Sequence, residues 1–263
     1  MTTQQPPATE SVATQTHSSA PDITAAILVI GDEILSGRTK DKNIGYIADY
    51  MTNIGIVLSE VRIVPDIEDE IVNALNALRS RYTYVFTTGG IGPTHDDITA
   101  DAVAKAFGVE LYEDERIIAG MLERMKPEDL NAARRRMARV PRGGELVPNP
   151  VSKVPGFRIG NVIVMAGVPM IMQAMLDGVA STLQTGVRLT MQSVEADVPE
   201  GAYAAGLSEV ASAHPALSIG SYPSYVDGRF KNQIVVRGRD PEEVSAAVNE
   251  VNAMLAAVRA ARG

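Results

Sequence analysis

The sequence predicts an α/β protein in which a three-layer αβα domain with a mostly parallel sheet precedes a small C-terminal α+β module. Two observations predict this. Apolar strand-like runs alternate with segments of helical periodicity over most of the chain. The composition then shifts near Thr185 and Gly186. We therefore expect a disordered tail at residues 1–22, the αβα domain at 23–185 and the module at 186–263.

The predicted elements of the αβα domain follow in chain order. Residues 25–30 form a continuous apolar run, as in a strand buried on both faces. Apolar residues at helical spacing come next, with Asp41 or Asn43 as the cap and Gly55 as the stop. The further predictions are a helix at 43–53, a strand at 57–64, a helix after Asp66, a strand at 83–87, a helix through 102–107, a helical polar stretch at 113–139, strands at 157–159 and 162–164 and a helix from Pro169 with a buried Met-rich face.

The module after residue 185 alternates differently. Its pattern predicts strand, helix, strand, strand and helix, which is typical of a small α+β unit. The predicted elements are a strand at 188–194, a helix at 200–213, strands at 217–222 and 229–236 and a helix at 241–260.

Composition excludes several classes of function. The net charge is −8 and the chain has no cysteine. An acidic chain argues against a nucleic-acid partner, and the missing cysteines exclude disulfides and thiolate metal sites. No apolar run is long enough to span a membrane, and residues 1–22 lack the apolar core of a signal peptide. We expect a cytoplasmic protein.

The most informative motif is Thr-Thr-Gly-Gly-Ile-Gly-Pro-Thr-His-Asp-Asp-Ile-Thr at 87–99, between a predicted strand and a predicted helix. Gly89, Gly90 and Gly92 allow the backbone to approach a phosphate, and N–H groups at a helix start favour anions. Asp96 and Asp97 add metal-binding or proton-transfer capacity. The motif fits neither the Rossmann nor the Walker pattern, since no lysine follows the glycines.

Three further loops follow predicted strands. They are Gly31-Asp32-Glu33, Pro65-Asp66 and Gly167-Val168-Pro169. In open α/β sheets, ligands bind outside the carboxyl ends of the strands. We therefore expect these loops and the glycine motif to converge on one ligand.

Each candidate residue also has a purely structural interpretation. Asp96 and Asp97 are also typical of a helix N-terminus, and Asp66 of an N-cap. Asp32 and Glu33 fit a turn and a helix start. His95 is more typical of an exposed loop. The cluster Arg134, Arg135, Arg136 and Arg139 is either a solvated face or an attractor for an anionic ligand.

The motifs at 31–37, 41–43, 65–66, 88–99 and 167–169 together resemble the molybdopterin-binding-like (MoaB/Mog-type) domain. They are most similar to the N-terminal domain of competence/damage-inducible protein CinA and the related domain of FAD synthase. The C-terminal module resembles the annex of CinA-type proteins. The stretch at 152–156 is more similar to FAD synthase than to CinA.

The resemblance implies a pocket for a phosphorylated nucleotide or a pterin such as molybdopterin. It implies Asp66 and Asp97 as ligands of a divalent metal and as catalytic residues, with Asp96 assisting. Magnesium or a similar ion suits oxygen ligands. Lys153 is expected to neutralise a phosphate. The predicted binding residues are Gly31, Asp32, Glu33, Gly89, Gly90, Gly92, Pro93, Thr94, Thr99, Lys153, Gly167 and Pro169.

The sequence is compatible with three hypotheses. The first is metal-dependent hydrolysis of dinucleotide pyrophosphates such as ADP-ribose or FAD. The second is molybdopterin binding or adenylyl transfer in molybdenum cofactor biosynthesis. The third is a non-catalytic binding module. In each case we expect a small-molecule ligand, no nucleic acid, no membrane and a homo-oligomer.

Overall fold

A computed structural model describes residues 22–262 of the chain. The predicted disordered tail at 1–22 lies outside the described residues except for Asp22. The division into domains at residue 185 stays a prediction. No helix in the described part of the chain has both the length and the apolar character needed to cross a membrane.

The first part of the chain alternates strands and helices as predicted. Its elements are β1 (Thr24–Ile30), α1 (Asp32–Leu35), α2 (Asn43–Asn53), β2 (Val57–Val64), α3 (Glu68–Arg79), β3 (Tyr84–Thr88), α4 (Thr99–Phe107), β4 (Leu111–Glu113), α5 (Glu115–Leu122), α6 (Ala132–Arg136), β5 (Arg139–Pro141), β6 (Glu145–Val147), β7 (Gly156–Ile159), β8 (Val162–Met165) and α7 (Pro169–Ala180).

A six-stranded sheet in the order β2-β1-β3-β8-β7-β6 forms the middle layer. β1 pairs in parallel with β2 and β3, and β3 with β8, whereas β7 runs antiparallel to β8 and β6. The four parallel strands end nearly level, since Ile30 is opposite Val64 and Thr88 is opposite Met165. The predicted αβα fold with a mostly parallel sheet is confirmed.

Apolar cores lie on both faces of the sheet. Successive side chains of a strand point to opposite faces. Leu28 of β1 accordingly joins the core under α3 and α4, and Ile27 joins the core under α2 and α7. Met172 and Met175 of α7 are fully buried in the second core, which confirms the Met-rich face as packing.

A two-residue turn at Gly160 and Asn161 joins β7 to the antiparallel strand β8. Gly160 has φ +56°, a conformation that glycine adopts at little cost. The Asn161 side-chain amide donates to the carbonyl oxygens of Arg79 and Tyr82, both at 2.9 Å. This residue therefore joins the turn to the end of α3.

The predicted helical stretch at 113–139 is wrong as a single element. It contains α5, a short 3-10 turn at Pro127–Asp129, and α6, and both of its ends are strand. Pro127 has no N–H to donate, and β4 pairs antiparallel with β5, which draws Glu113 and Arg139 into register. The physical reason is non-local pairing between the two ends of the stretch.

The arginines of that stretch are held by the protein's own oxygens. Arg139 forms a two-pronged ion pair with Asp101, at 2.7 and 2.6 Å, and Arg135 pairs with Glu113. Arg136 donates to the Asp97 carbonyl oxygen at 3.1 Å. The cluster thus supports the loops around it. The Nε of Arg136 is buried without a hydrogen-bond partner among the described residues, and Arg136 lines a small cavity beside the glycine motif, so attraction of an anionic ligand stays a prediction.

The C-terminal module is an antiparallel sheet covered by two helices. Its elements are β9 (Thr190–Ala196), α8 (Glu200–Ala213), β10 (Ser218–Tyr222), β11 (Tyr225–Val226), β12 (Arg229–Phe230), β13 (Asn232–Gly238) and α9 (Pro241–Ala260). The sheet order is β10-β13-β9, and Tyr203, Val251 and Leu255 are buried against it. The predicted strand at 229–236 is divided, because its first residues pair with β11 in a separate hairpin.

Candidate functional site

The glycine motif leaves β3 as a tight loop against β1. Gly89 has φ +101° and Gly90 has φ +65°. A Cβ on Gly89 would lie 2.1 Å from the Ile30 carbonyl oxygen. Thr99 closes the loop, because its hydroxyl donates to the Gly89 carbonyl and its N–H to the Gly90 carbonyl, both at 3.0 Å. Thr99 is buried, so it shapes the loop and does not line the cavity beside it.

Asp97 folds the second half of the loop. Its Oδ2 accepts from the Thr94 N–H at 2.8 Å and from the Thr94 hydroxyl. A Cβ on Gly92 would lie 2.6 Å from the same oxygen. No side chain caps α4 among the described residues. Asp97 therefore folds its own loop and caps no N–H group of α4.

The glycine loop forms one wall of a cavity of about 590 Å³, here called the glycine cavity. The loop after β8 and the segment around Asn149 form other walls, and Glu33 lies at one side. The lining residues are Glu33, Thr39, Gly89, Gly90, Ile91, Gly92, Asp97, Met137, Asn149, Ser152, Val154, Ala166, Gly167, Val168, Pro169 and Ile171.

A second depression of about 670 Å³, the acidic groove, adjoins the glycine cavity at Glu33, which lines both. The groove is lined by Asp32, Glu33, Leu35, Ser36, Arg38, Asp66 and Asp96. Asp66 Oδ2 accepts from the Asp32 N–H at 2.9 Å, while no side chain caps α3 within residues 22–262. Asp66 thus joins the loops after β1 and β2, and the interpretation as an N-cap of its own helix is wrong.

The acidic groove brings four carboxylates together with a single arginine, Arg38. The pKa of Asp66 is raised above its ordinary value, chiefly by burial and then by the carboxylates of Asp32, Glu33 and Asp96. The hydrogen bond from the Asp32 N–H opposes that rise. A cation in the groove would relieve the repulsion.

The structure separates the two predicted metal ligands between neighbouring compartments. Asp97 lines the glycine cavity, whereas Asp66 and Asp96 line the acidic groove. Among residues 22–262, no three His, Cys, Asp or Glu side chains are arranged to hold a metal ion by themselves. The groove still suits Mg²⁺, which proteins usually hold with one or two carboxylates together with substrate phosphates. Asp66 and Asp97 as metal ligands stay a prediction.

The loop after β8 is positioned by a residue of α2. Asn43 is buried, and its side-chain amide donates to the Gly167 carbonyl oxygen at 2.8 Å. Asp41 Oδ1 accepts from the N–H groups of Asn43 and Ile44 at 3.1 and 2.8 Å, which fixes the start of α2. Gly167 and Pro169 thereby reach the glycine cavity as predicted.

Residues 149–155 form a short strap over the cavity. The sequence patterns single out residues 152–156 but not Asn149, on which the strap depends. Asn149 is buried, and its Oδ1 accepts from the N–H groups of Val151 and Ser152, both at 3.1 Å. Its amide donates to the Ser152 hydroxyl at 2.6 Å and the Val154 carbonyl at 2.8 Å. A single asparagine therefore folds the strap.

The remaining predicted binding residues lie at the edge of the site. Lys153 has φ +65°, unusual for a residue with a side chain, and it lines a groove on the far side of the strap and not the glycine cavity. Pro93 and Thr94 are exposed, and Thr94 acts through Asp97. His95 is almost fully exposed, as its loop interpretation predicts.

Comparisons with known proteins place both parts of the chain. Residues 26–185 match the family model described as "Probable molybdopterin binding domain", and residues 188–261 match "FAD synthase, middle domain". A protein of Archaeoglobus fulgidus is 32% identical over 87% of this chain and 96% of its own length.

Two further similarities concern a protein named as a FAD synthase and a CinA protein of known structure. A "Probable FAD synthase" of Caenorhabditis briggsae is 29% identical over 85% of this chain, which spans only 48% of that protein. The crystal structure of the protein CinA, of unknown function, from Thermoplasma acidophilum is 33% identical with a TM-score of 0.58. It covers 61% of this chain and 98% of its own.

The glycine loop yields a prediction on stability. We expect Gly89→Ala to lower the free energy of unfolding by at least about 2 kcal/mol, because the added methyl group meets a backbone carbonyl and φ is unfavourable. Gly45→Ala is the matched control, since Gly45 lies in α2 with open space at its Cβ. The free energy of unfolding of this control should rise by about 0.5 to 1 kcal/mol. Urea denaturation measures both, and equal effects would contradict the account of the loop.

The acidic groove yields a prediction on pH. Since the folded-state pKa of Asp66 is raised, ionised Asp66 destabilises the fold above that pKa, and this cost disappears below its ordinary value. Without metal, Asp66→Asn should be more stable than the native protein at about pH 7 and equal to it at about pH 3. The increase in the free energy of unfolding should stay below about 1 kcal/mol because the groove is open to solvent.

Urea denaturation in a chelating buffer at the two pH values tests this prediction. Asp49→Asn, an exposed change on α2, is the control and should show no such pH dependence. If Asp66→Asn is less stable than the native protein at neutral pH, the negative charge of Asp66 is stabilised in the folded protein and the prediction is wrong.

Proposed function

This chain belongs to the molybdopterin-binding domain family, and we propose that it is a metal-dependent hydrolase of dinucleotide pyrophosphates such as ADP-ribose or FAD. The observation that carries the proposal is the adjacency of the glycine cavity and the acidic groove, with Glu33 lining both. A pyrophosphate needs hydrogen-bond donors for its oxygens and a cation for its charge. The glycine cavity offers the hydrogen-bond donors, and the acidic groove beside it offers the site for the cation.

The donors are backbone groups of the glycine loop. No oxygen of residues 22–262 accepts a hydrogen bond from the N–H of Gly90, Ile91 or Gly92, and all three residues line the glycine cavity. Consecutive N–H groups at such a turn favour a phosphate. They stabilise charge that builds up on phosphoryl oxygens during the reaction.

The carboxylates have separate roles on the cavity side and on the groove side of the site. Thr94 holds Asp97 Oδ2, which leaves Oδ1 for a cation or a water molecule on the cavity side. Asp66, with Asp32 and Asp96 beside it, offers oxygen ligands on the groove side. These carboxylates would hold a divalent cation, which would polarise a phosphoryl oxygen and lower the pKa of a bound water.

The reaction consumes one water molecule. Its oxygen bonds to one phosphorus, the bond from that phosphorus to the bridging oxygen breaks, and a carboxylate takes up a proton from the water. The leaving phosphate receives a proton in turn. The products are two phosphomonoesters, AMP and the phosphate of the second half.

The family match supports one alternative. A domain described as molybdopterin binding favours a pterin ligand in the same cavity, with ATP as the source of an adenylyl group. The two functions predict different products. Hydrolysis gives AMP without a pterin, whereas adenylyl transfer gives an AMP–pterin conjugate and pyrophosphate.

One experiment separates these functions. The purified chain is incubated with ADP-ribose, FAD, NAD or ATP, each with Mg²⁺, Mn²⁺ or Co²⁺, and released AMP is measured. We expect AMP from at least one dinucleotide and no AMP in a chelator. AMP–pterin formation from ATP and molybdopterin would favour the alternative. Binding without any turnover would indicate a non-catalytic module.

Asp97→Asn tests the catalytic assignment. The amide keeps an oxygen for the Thr94 N–H but loses the negative charge, so kcat should fall by at least about a hundredfold while the melting temperature stays close to that of the native protein. Steady-state AMP release with saturating metal is the measurement.

Thr94→Val is the matched variant for that test. It removes the hydroxyl contact with Asp97 but keeps the carboxylate and the backbone contact. Its loss of kcat should stay below about tenfold. Full activity of Asp97→Asn would remove Asp97 from the mechanism.

A further inference from the structure

One edge of the six-stranded sheet is a long strand with a free side. Within residues 22–262, β2 pairs with β1 on one side, and no strand pairs with its other side. An edge strand presents a row of unpaired N–H and C=O groups, which is a template for pairing with another chain. The free side of β2 therefore offers a place for a further strand.

The backbone groups of Val61 and Ile63 are directed to this free side. The Val64 carbonyl oxygen accepts from the Gly31 N–H at 3.2 Å, so the backbone of Val64 faces β1. Successive residues of a strand direct their N–H and C=O groups to opposite sides. Since the register of β2 on β1 is regular from Glu60 to Val64, every second residue of this part faces outward.

The side chains of the same segment alternate between apolar and charged residues. Val61 and Ile63 are apolar yet 36% and 38% exposed, and they lie on the opposite face of the sheet from Glu60 and Arg62. Glu60 Oε1 accepts from Arg62 Nε, and Oε2 accepts from the Tyr82 hydroxyl, both at 2.6 Å. Within the described residues Arg62 donates to Glu60 through Nε alone, so its terminal nitrogens are available to a second carboxylate.

A second, antiparallel copy of β2 matches these charges in one register. When the Val61 residues of the two copies are directly opposite, each Glu60 faces an Arg62 of the other copy. The two Val61 residues then form a hydrogen-bonded pair, as their outward backbone groups require. Opposite charges directly across an antiparallel pair stabilise it.

The two neighbouring registers place like charges opposite each other. Outward backbone groups still meet when Val61 is opposite Ser59 or opposite Ile63. In the first case the two Glu60 side chains face each other, and in the second the two Arg62 side chains do. Like charges at such positions destabilise the pair. The charges of β2 are thus self-complementary about Val61.

We propose that β2 is the interface with a second copy of this chain, in a two-fold symmetric dimer that joins the two six-stranded sheets at Val61. A two-fold interface uses the same surface on both copies, and the reciprocal pairing of Glu60 with Arg62 provides such a surface. Because the joined strands run antiparallel, the loops after them, which include Asp66, lie at opposite ends of the interface. The two candidate sites stay separate, and the inference does not depend on the proposed function.

Complementary charge reversals test the register. Glu60→Arg leaves two arginines and Arg62→Glu leaves two glutamates in the segment, so each variant alone brings like charges together. In a mixture of the two variants, each arginine faces a glutamate. Glu209→Arg, an exposed change on α8, controls for the altered net charge.

Sedimentation equilibrium of the full chain over a range of concentrations measures the association. The native protein and Glu209→Arg should form dimers. Each reversal alone should raise the dissociation constant of the dimer by at least about tenfold, and the equimolar mixture should return it to within about threefold of the native value. Melting temperatures verify that each variant is folded, since Glu60 also binds Tyr82.

Val61→Pro tests the backbone pairing separately. Proline is tolerated on edge strands where the missing N–H would face solvent, so this variant should fold. It removes a hydrogen bond between the two copies and none within the sheet, and it should weaken the dimer by at least about tenfold.

Four results would overturn the inference. The native chain could stay monomeric or form a trimer. Either reversal alone could dimerise as tightly as the native protein. The mixture could associate no more tightly than its two components do separately. Val61→Pro could dimerise like the native protein, and this result decides the matter if a reversal does not fold.

Discussion

The parallel pairing of β1 with both of its neighbours is the constraint on which the site depends. It makes the strands end nearly level, with Ile30 opposite Val64 and Thr88 opposite Met165. Loops after parallel strands then share one edge of the sheet. The glycine loop reaches that edge only because residue 89 has no side chain. A Cβ on Gly89 would lie 2.1 Å from the Ile30 carbonyl oxygen. Cavity and groove are consequences of this arrangement.

The polar residues around the site serve two opposed purposes. Thr99, Asn43 and Asn149 are buried, and their hydrogen bonds fold the loops that surround the glycine cavity. The acidic groove instead keeps carboxylates together, and the pKa of Asp66 is raised chiefly by burial and then by those neighbouring carboxylates. Uncompensated charge in an otherwise well-bonded site is typical of a functional position, where stability is given up for binding.

The sequence predicted the sheet and the loops at its strand ends because each depends on local patterns, whereas convergence of those loops on one ligand stays a prediction. Apolar runs, turn glycines and helix periodicity are readable without knowledge of distant contacts. The stretch at 113–139 was mispredicted because its ends pair as strands across more than one helix. Asn149 was not predicted as a site residue, because a single asparagine between two prolines matches no recognisable sequence motif. Lys153 was expected beside the glycines, yet the strap turns it to the other side.

The central claim is that a phosphate at the glycine loop and a cation at the acidic groove belong to one ligand. The most direct test is calorimetric binding of a non-hydrolysable, methylene-bridged analogue of ADP-ribose, with Mg²⁺ and with a chelator. We expect at least about tenfold tighter binding with Mg²⁺, since the phosphates complete the coordination of the ion. Equal affinity in the two buffers would contradict it, because the cavity would then bind its ligand without the carboxylates.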